Sequence, residues 1–355
     1  MPEFVSPIGS ANVSFEAPID FGWSKHSLRN TGISRPEAEA FIAEAKAQKG
    51  PGLRSVSVDE LLELDIKPRE TLLHPFLPSQ GLVMLYSKRG VGKTFIALGI
   101  SVAVASGGEF LKWRAPKPSR VLYVDGEMPC ATLRERIASI VAGSKTSPMP
   151  ENLRIITPDL QSRGLPDLSS IAGQDEIEEH LDGVELLVLD NLSCLVRAVK
   201  ENEGEGWLPV QDWALALRRR GISVLFVHHA GKGGAQRGTS RREDLLDSVL
   251  TLKHPSDYSA SDGLRCEVVF EKSRSFFGPD ARPFELQMSL GVDRESVWAV
   301  TDSEISQNTR AAELFSRGLS VRDVAEAMEI SKSQAHRIRQ GLNGTVFQNH
   351  SSGGK

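Results

Sequence analysis

The sequence predicts an α/β protein: a twisted, mostly parallel sheet covered by helices, followed by a small all-helical segment. Three observations carry the prediction. Short, nearly continuous apolar runs recur from Gly81 onward with helical segments between them, as expected of parallel strands buried on both faces. The first run, Leu82–Tyr86, leads through a Gly-containing loop into the helical run Phe95–Ala105. Beyond residue 309, over Arg310–Leu342, the apolar residues take up helical spacing.

Composition sets the bounds. The 355 residues, 40% hydrophobic and 25% charged, match a globular protein of one large domain plus something smaller. Cys130, Cys194 and Cys266 show neither close pairing nor metal-ligand spacing. A disulfide scaffold and a zinc site are therefore excluded, and a cytoplasmic setting is expected. No run reaches 18 apolar residues, and Met1-Pro2-Glu3-Phe4 lacks a basic region before an apolar core, so no membrane partner and no signal peptide are expected. The net charge of −4 excludes bulk electrostatic affinity for nucleic acid but leaves room for a local basic site.

Residues 1–55 are expected as a partly disordered arm. It carries a short helix that opens at the capping box Ser34-Arg35-Pro36-Glu37 and stops at Gly50-Pro51-Gly52. A second box, Ser57-Val58-Asp59-Glu60, opens Leu61–Leu64. Residues 56–302 form the main domain. Its strand-like runs are Leu82–Tyr86, Val121–Val124, Leu153–Ile156, Leu186–Leu189, Val224–Val227 and Ser248–Leu252, with Cys266–Phe270 and Phe284–Met288 added in antiparallel fashion. Residues 303–309 read as a polar linker, 310–342 as the helical segment and 343–355 as a flexible tail.

The sharpest signal is Ser87-Lys88-Arg89-Gly90-Val91-Gly92-Lys93-Thr94, followed by Phe95. A strand, this loop and a helix form a phosphate-binding loop in its required context. Backbone N–H groups at a helix N-terminus converge on an anion, and the helix dipole adds to their field. Lys93 supplies a point charge for β- and γ-phosphates, and Thr94 supplies a hydroxyl for Mg²⁺. Ser87 stands where the pattern has its first glycine.

Three further runs end in polar groups at the edge of the sheet where ligands bind in open α/β folds. Val121-Leu122-Tyr123-Val124-Asp125-Gly126-Glu127 offers Glu127 as a base for water, with a solvated strand end as the alternative. Leu186–Leu189 ends in Asp190-Asn191; Asp190 is the expected Mg²⁺-side carboxylate, or else a helix cap. Val224–Val227 ends in His228-His229. His228, first after the apolar run, is the candidate that reports a γ-phosphate through a hydrogen bond, against a purely structural histidine.

In this order the four elements resemble the RecA-like P-loop ATPases, and among them the hexameric helicases of the DnaB and plasmid RepA type, over about Val56–Asp302. The resemblance implies ATP and Mg²⁺ as cofactors and a homo-oligomer, a hexameric ring, with single-stranded DNA in its channel. Residues 230–240, Gly-rich and holding Lys232 and Arg237, with Arg241 and Arg242 just beyond, resemble the mobile channel loop of that family. A flexible cationic loop suits a phosphate backbone, although a plain solvated loop is the alternative. Phe270-Glu271-Lys272-Ser273-Arg274 resembles the strand that reaches the neighbouring subunit's nucleotide; Arg274 is then an arginine finger, or else a surface arginine. DnaB-type helicases carry a large N-terminal helical domain. The short polar region before this core points instead to the compact RepA-like ATPases of plasmids, phages and integrated elements.

Within the helical segment, Val324, Ala325, Met328, Ile330, Ala335 and Ile338 fit two short helices crossing at a tight corner where Ala325 lets them approach. Ser331 caps the second helix. The segment resembles the helix-turn-helix of resolvases and response regulators. It would present Lys332, Ser333, Gln334, His336, Arg337 and Arg339 to duplex DNA. Glu329 stands where such a turn favours glycine, and a helical hairpin for subunit contact is the alternative. The leading functional expectation is an ATP-driven DNA motor, a replicative helicase or helicase loader. The alternatives are an ATP-gated DNA-binding regulator, or a RecA-like ATPase of recombination or defence.

Overall fold

The computed structural model describes residues 53–149, 151–197, 207–230, 244–328 and 330–351. Two units divide at Lys67 and Pro68. In the first, the Ser57 capping box forms as expected: Glu60 N–H donates to Ser57 Oγ at 3.1 Å and Ser57 N–H to Glu60 at 2.7 Å. It opens α1 (Val58–Glu63), none of whose residues is buried. The expected helix from Ser34 to about Lys49 lies outside the described residues.

The second unit is built on a nine-stranded sheet. In chain order the strands are β1 (Thr71–Leu73), β2 (Leu77–Pro78), β3 (Leu82–Ser87), β4 (Glu109–Phe110), β5 (Trp113–Arg114), β6 (Val121–Asp125), β7 (Leu153–Ile156), β8 (Leu186–Asp190), β9 (Ser223–His229), β10 (Ser248–Lys253), β11 (Leu264–Ser273), β12 (Phe284–Leu290) and β13 (Ser296–Asp302). The large sheet runs β13-β12-β11-β10-β3-β9-β8-β6-β7. It is parallel from β10 to β7 and antiparallel from β10 to β13. The eight expected strands are present, and β13 extends the antiparallel side. β1–β2 and β4–β5 form two small separate hairpins.

Side chains alternate along each strand, and the core divides accordingly. One face collects Val83, Leu85, Val188, Leu225, Val227 and Leu250, and is covered by α2 (Lys93–Ser106) and α3 (Cys130–Gly143) through Ile96, Ile100, Leu133 and Ile140. The other collects Leu82, Met84, Leu187, Leu189, Val224 and Phe226. It is covered by α4 (Ile171–Glu178), α5 (Leu192–Leu195) and α6 (Leu208–Arg219), with Ile177, Leu195, Trp213 and Leu217 turned inward. Two covered faces explain why the central strands β3, β8 and β9 are nearly continuous apolar runs. Among the described residues no helix is long and apolar enough to cross a membrane.

Three helices complete the unit: α7 (Ser303–Ser316), α8 (Val321–Ala327) and α9 (Lys332–Ser351). They pack around Ala311, Val324, Ala325, Met328 and Ala335, with Phe315, Ile330 and Ile338 against them. The expectation of a linker over 303–309 is corrected here, because those residues are the first half of α7. Asp302 caps the helix by accepting from Glu304 N–H. The polar residues have partners: Ser306 donates to Glu285 of β12 at 2.8 Å, and Arg310 pairs with Glu285 and with Asp257. Arg265 closes the network on Glu285, Asp257 and Asp262. The helical segment is thus joined to the sheet by ion pairs rather than by a loose tether. Ser331 caps α9 as expected, accepting from Gln334 N–H at 3.2 Å; Glu329 lies outside the described residues.

Candidate nucleotide site

Strands β3, β6, β8 and β9 are parallel and end together. Ser87 lies beside His229, and Asp125 beside Asp190. Ala230 N–H donates to the Ser87 carbonyl at 2.8 Å, and Gly126 N–H to the Asp190 carbonyl at 2.6 Å. Every polar strand end singled out in the sequence therefore sits on one edge.

The loop after β3 has the conformation a phosphate cradle needs. Gly90 and Gly92 take φ of 81° and 114°, which glycine adopts without penalty. Gly92 also abuts Leu264, whose side chain lies 3.0 Å from where a Cβ would stand. Ser87, at the position of the pattern's first glycine, is the last residue of β3, is buried, and is not among the residues of positive φ. Nothing in its backbone calls for glycine. Its hydroxyl donates to the Lys88 carbonyl at 2.8 Å and accepts from Lys93 Nζ at 3.2 Å.

Helix α2 starts from Gly92 without a side-chain cap, so its first-turn amides are free to meet an anion. Lys93 Nζ donates to the carbonyls of Ser87 and Lys88 at 3.1 and 3.0 Å. Burial lowers its pKa to about 8, while Asp190 and Glu127 pull it back up. Thr94 hydrogen-bonds Asp190 through its side chain. Asp190 is buried, which raises its carboxyl pKa against the opposing effect of hydrogen bonds from Tyr123 and Thr94. This donor set fits Mg²⁺, which uses one or two protein oxygens beside substrate phosphates and keeps its waters. Asp125, also buried, is pushed up to about 6 and accepts from Met128 N–H.

Glu127 stands at the mouth of the site. Asn191 Nδ2 donates to it at 2.5 Å, and the His229 ring lies 3.7 Å away. Strand alternation decides between the two histidines. His228 shares a face with Val224 and Phe226, on the side of α6. His229 shares a face with Leu225 and Val227, the side of α2 and of Asp190. The structure thus brings His229, rather than the expected His228, to Lys93 and Glu127. Among the described residues neither ring nitrogen of His229 has a hydrogen-bond partner. Burial and the Lys93 charge lower its pKa and favour the neutral imidazole.

Arg274 lies elsewhere. It follows β11, its N–H donates to the Asp247 carbonyl at 3.0 Å, and its guanidinium donates to the Asp244 carbonyl. Ser273 is level with Ser248, and Ser248 with Val83, the second residue of β3. The phosphate loop leaves the other end of β3, on the order of 15 Å away along the strand at about 3.3 Å per residue. Arg274 is at the opposite edge of the sheet from its own chain's loop. Lys232, Arg237 and Arg241 lie outside the described residues. On α9, Lys332, Gln334, His336, Arg337 and Arg339 are exposed, but not equivalently. Ser333, His336, Arg337 and Gln340 point away from the buried Ala335 and the partly buried Ile338 at helical spacing, whereas the Arg339 guanidinium lies 5.4 Å over the Phe315 ring.

Sequence reasoning passed over Tyr123, Asn191, His229 and Gln340 as site residues. Counting the two-residue period along β9 separates His229 from His228; Tyr123 is hidden inside an apolar run, where a tyrosine reads as core.

Residues 47–235, more than half of the chain, match the AAA domain family. Among solved structures, a KaiC-like protein from the hyperthermophilic archaeon Pyrococcus horikoshii OT3 is similar over 64% of this chain and 93% of that one, with 15% sequence identity and a TM-score of 0.44. The phosphate loop, the acidic strand ends beside it and the family match agree: the chain belongs to the AAA domain family.

Proposed function

We propose that the protein is an ATP-hydrolysing, ring-forming DNA motor of the cytoplasm, a helicase or helicase loader in the replication of a plasmid, phage or integrated element. The observation that carries the proposal is the division of labour across the sheet. Lys93, Thr94, Asp190, Glu127 and His229 converge at one edge, while Arg274 lies at the other. An Arg274 that meets a nucleotide meets that of a second copy, and head-to-tail contacts of that kind close into a ring where the rotation between copies completes a circle. Phe277, three residues on, is 88% exposed.

In this reading Lys93 and the first-turn amides of α2 hold the β- and γ-phosphates of ATP. Thr94 and Asp190 are the residues that would hold Mg²⁺, which supplies charge neutralisation on those phosphates when bound. Glu127, kept in place by Asn191, aligns the attacking water. The neutral His229 ring between Lys93 and Glu127 offers a donor to the γ-phosphate and passes its presence to the basic residues that follow β9. Arg274 of the neighbouring copy stabilises charge on the transferring phosphoryl group.

A second reading has one observation in its favour. The three C-terminal helices are fixed to β12 by the Arg310–Glu285–Arg265 network and turn Ser333, His336, Arg337 and Gln340 outward, as a helix-turn-helix held for duplex DNA would. Under it the protein is an ATP-gated regulator. Steady-state ATP hydrolysis with and without single-stranded DNA at low salt, with the oligomeric mass in the same buffer, separates the two. Several-fold stimulation with a nucleotide-dependent ring supports the motor. Flat hydrolysis, a small oligomer and sequence-specific duplex binding overturn it in favour of the regulator.

A further inference from the structure

Beneath the candidate nucleotide site, one buried contact has no part in holding phosphate or water. Tyr123, in the middle of β6 and fully buried, donates its hydroxyl to Asp190 Oδ2 at 2.6 Å. The two strands are neighbours, with Asp125 beside Asp190 and Tyr123 beside Val188. The phenol therefore reaches diagonally along the face that α2 covers. Its ring is packed within that core, so the hydroxyl's position is fixed by the sheet and not by solvent. Asp190 also takes a hydrogen bond from Thr94. Its carboxylate is held between a strand-borne donor below and the phosphate-loop hydroxyl above. A tyrosine buried in the middle of β6 leaves a hydroxyl that needs an acceptor, and Asp190 is that acceptor.

We propose that Tyr123 is a positioning residue for the Mg²⁺-nucleotide complex: its hydroxyl fixes the orientation of Asp190, and through Asp190 sets how much Mg²⁺ the site requires. The inference rests on the nucleotide site proposed above. Hydrogen-bond partners behind a metal-side ligand orient it and sharpen metal affinity, and a carboxylate free to turn in a buried site loses that advantage.

The test is equilibrium binding of a fluorescent ATP analogue to the full chain, titrated with Mg²⁺ and repeated in EDTA. For Tyr123→Phe, the Mg²⁺ concentration giving half-maximal enhancement of binding should rise roughly tenfold, with affinity in EDTA unchanged. Tyr123→Met also lacks the donor but fills the core differently, and should show the same rise; either variant suffices if the other does not fold. In an Asp190→Asn background, Tyr123→Phe should add nothing, since coupled residues are not additive. A folded donor-less variant with the Mg²⁺ dependence of the parent overturns the proposal and leaves the nucleotide site standing. So does an equal effect in the Asp190→Asn background. A parent protein whose nucleotide binding ignores both Mg²⁺ and Lys93→Ala removes the nucleotide site itself, and the proposal with it.

Discussion

At the scale of single residues, the site works through burial. Lys93 is a cation in a largely dry pocket, and its pKa of about 8 means that the free protein begins to lose that charge just above neutral pH. The protonated ammonium is the form that attracts phosphate, so affinity for ATP should be highest below pH 8. It should fall above that point by up to about tenfold per pH unit. Titrations of a fluorescent nucleotide from pH 7 to 9.5 check this, with Lys93→Ala as the pH-independent baseline. A parent curve as flat as the variant's would remove Lys93 from phosphate binding. The paired histidines give a sharper contrast. His229→Ala should lower kcat by roughly tenfold or more, because it disturbs the alignment around Glu127. His228→Ala, on the opposite face, should instead destabilise the fold by about 1–3 kcal/mol and leave kcat per folded molecule near the parent's. Steady-state kinetics beside chemical denaturation separates them, and the reverse pattern would restore His228 to the site.

At the scale of elements, the helices after the sheet are the part most open to test. Arg337 points outward from α9, whereas Arg339 bends back over Phe315. Arg337→Ala should weaken DNA binding by about tenfold and reduce the salt slope by about one. Arg339→Ala should leave both nearly unchanged and slightly loosen the helical cluster. Fluorescence anisotropy between 50 and 200 mM salt reads the difference. The elements that sequence pattern marked most sharply are those whose burial is uniform. Leu82–Tyr86, Leu186–Leu189 and Val224–Val227 are apolar on both faces, and the structure extends each run to the polar residue or residues at its end. β13 escaped because it is an edge strand, largely exposed, whose apolar run Val297–Val300 is short and flanked by Ser296, Thr301 and Asp302. The start of α7 escaped for a related reason: Ser306 looks like a linker residue until Glu285, twenty-odd positions earlier, is placed beside it. Such pairings are tertiary and leave no local trace. In the site, Lys93, Thr94 and Asp190 were legible because phosphate chemistry demands those groups at a strand-to-helix corner. Asn191 and Tyr123 serve Glu127 and Asp190 rather than the ligand, and no local pattern marks them.

At the scale of the whole molecule, the separation of Arg274 from the phosphate loop of its own chain makes a claim about assembly that a mixing experiment can decide. Lys93→Ala should bind nucleotide poorly and hydrolyse almost nothing. Arg274→Ala should bind nucleotide normally yet lose turnover by about 10³-fold or more, the usual worth of an arginine finger. Alone, each variant is inactive for a different reason. In a ring built from both, some interfaces join an intact loop from the Arg274→Ala chain to an intact arginine from the Lys93→Ala chain. With equal amounts and random exchange, about a quarter of interfaces are of that kind, half of one choice times half of the other. ATP hydrolysis should therefore return on mixing, to roughly a quarter of the parent rate if interfaces act independently and to less if the ring fires in order. The recovered activity should grow with total protein concentration, since it depends on assembly. No recovery at any ratio, with both variants folded and co-assembling by mass, would mean that Arg274 does not complete a neighbour's site. The case for a ring would then rest on other contacts, with Phe277 the first to examine.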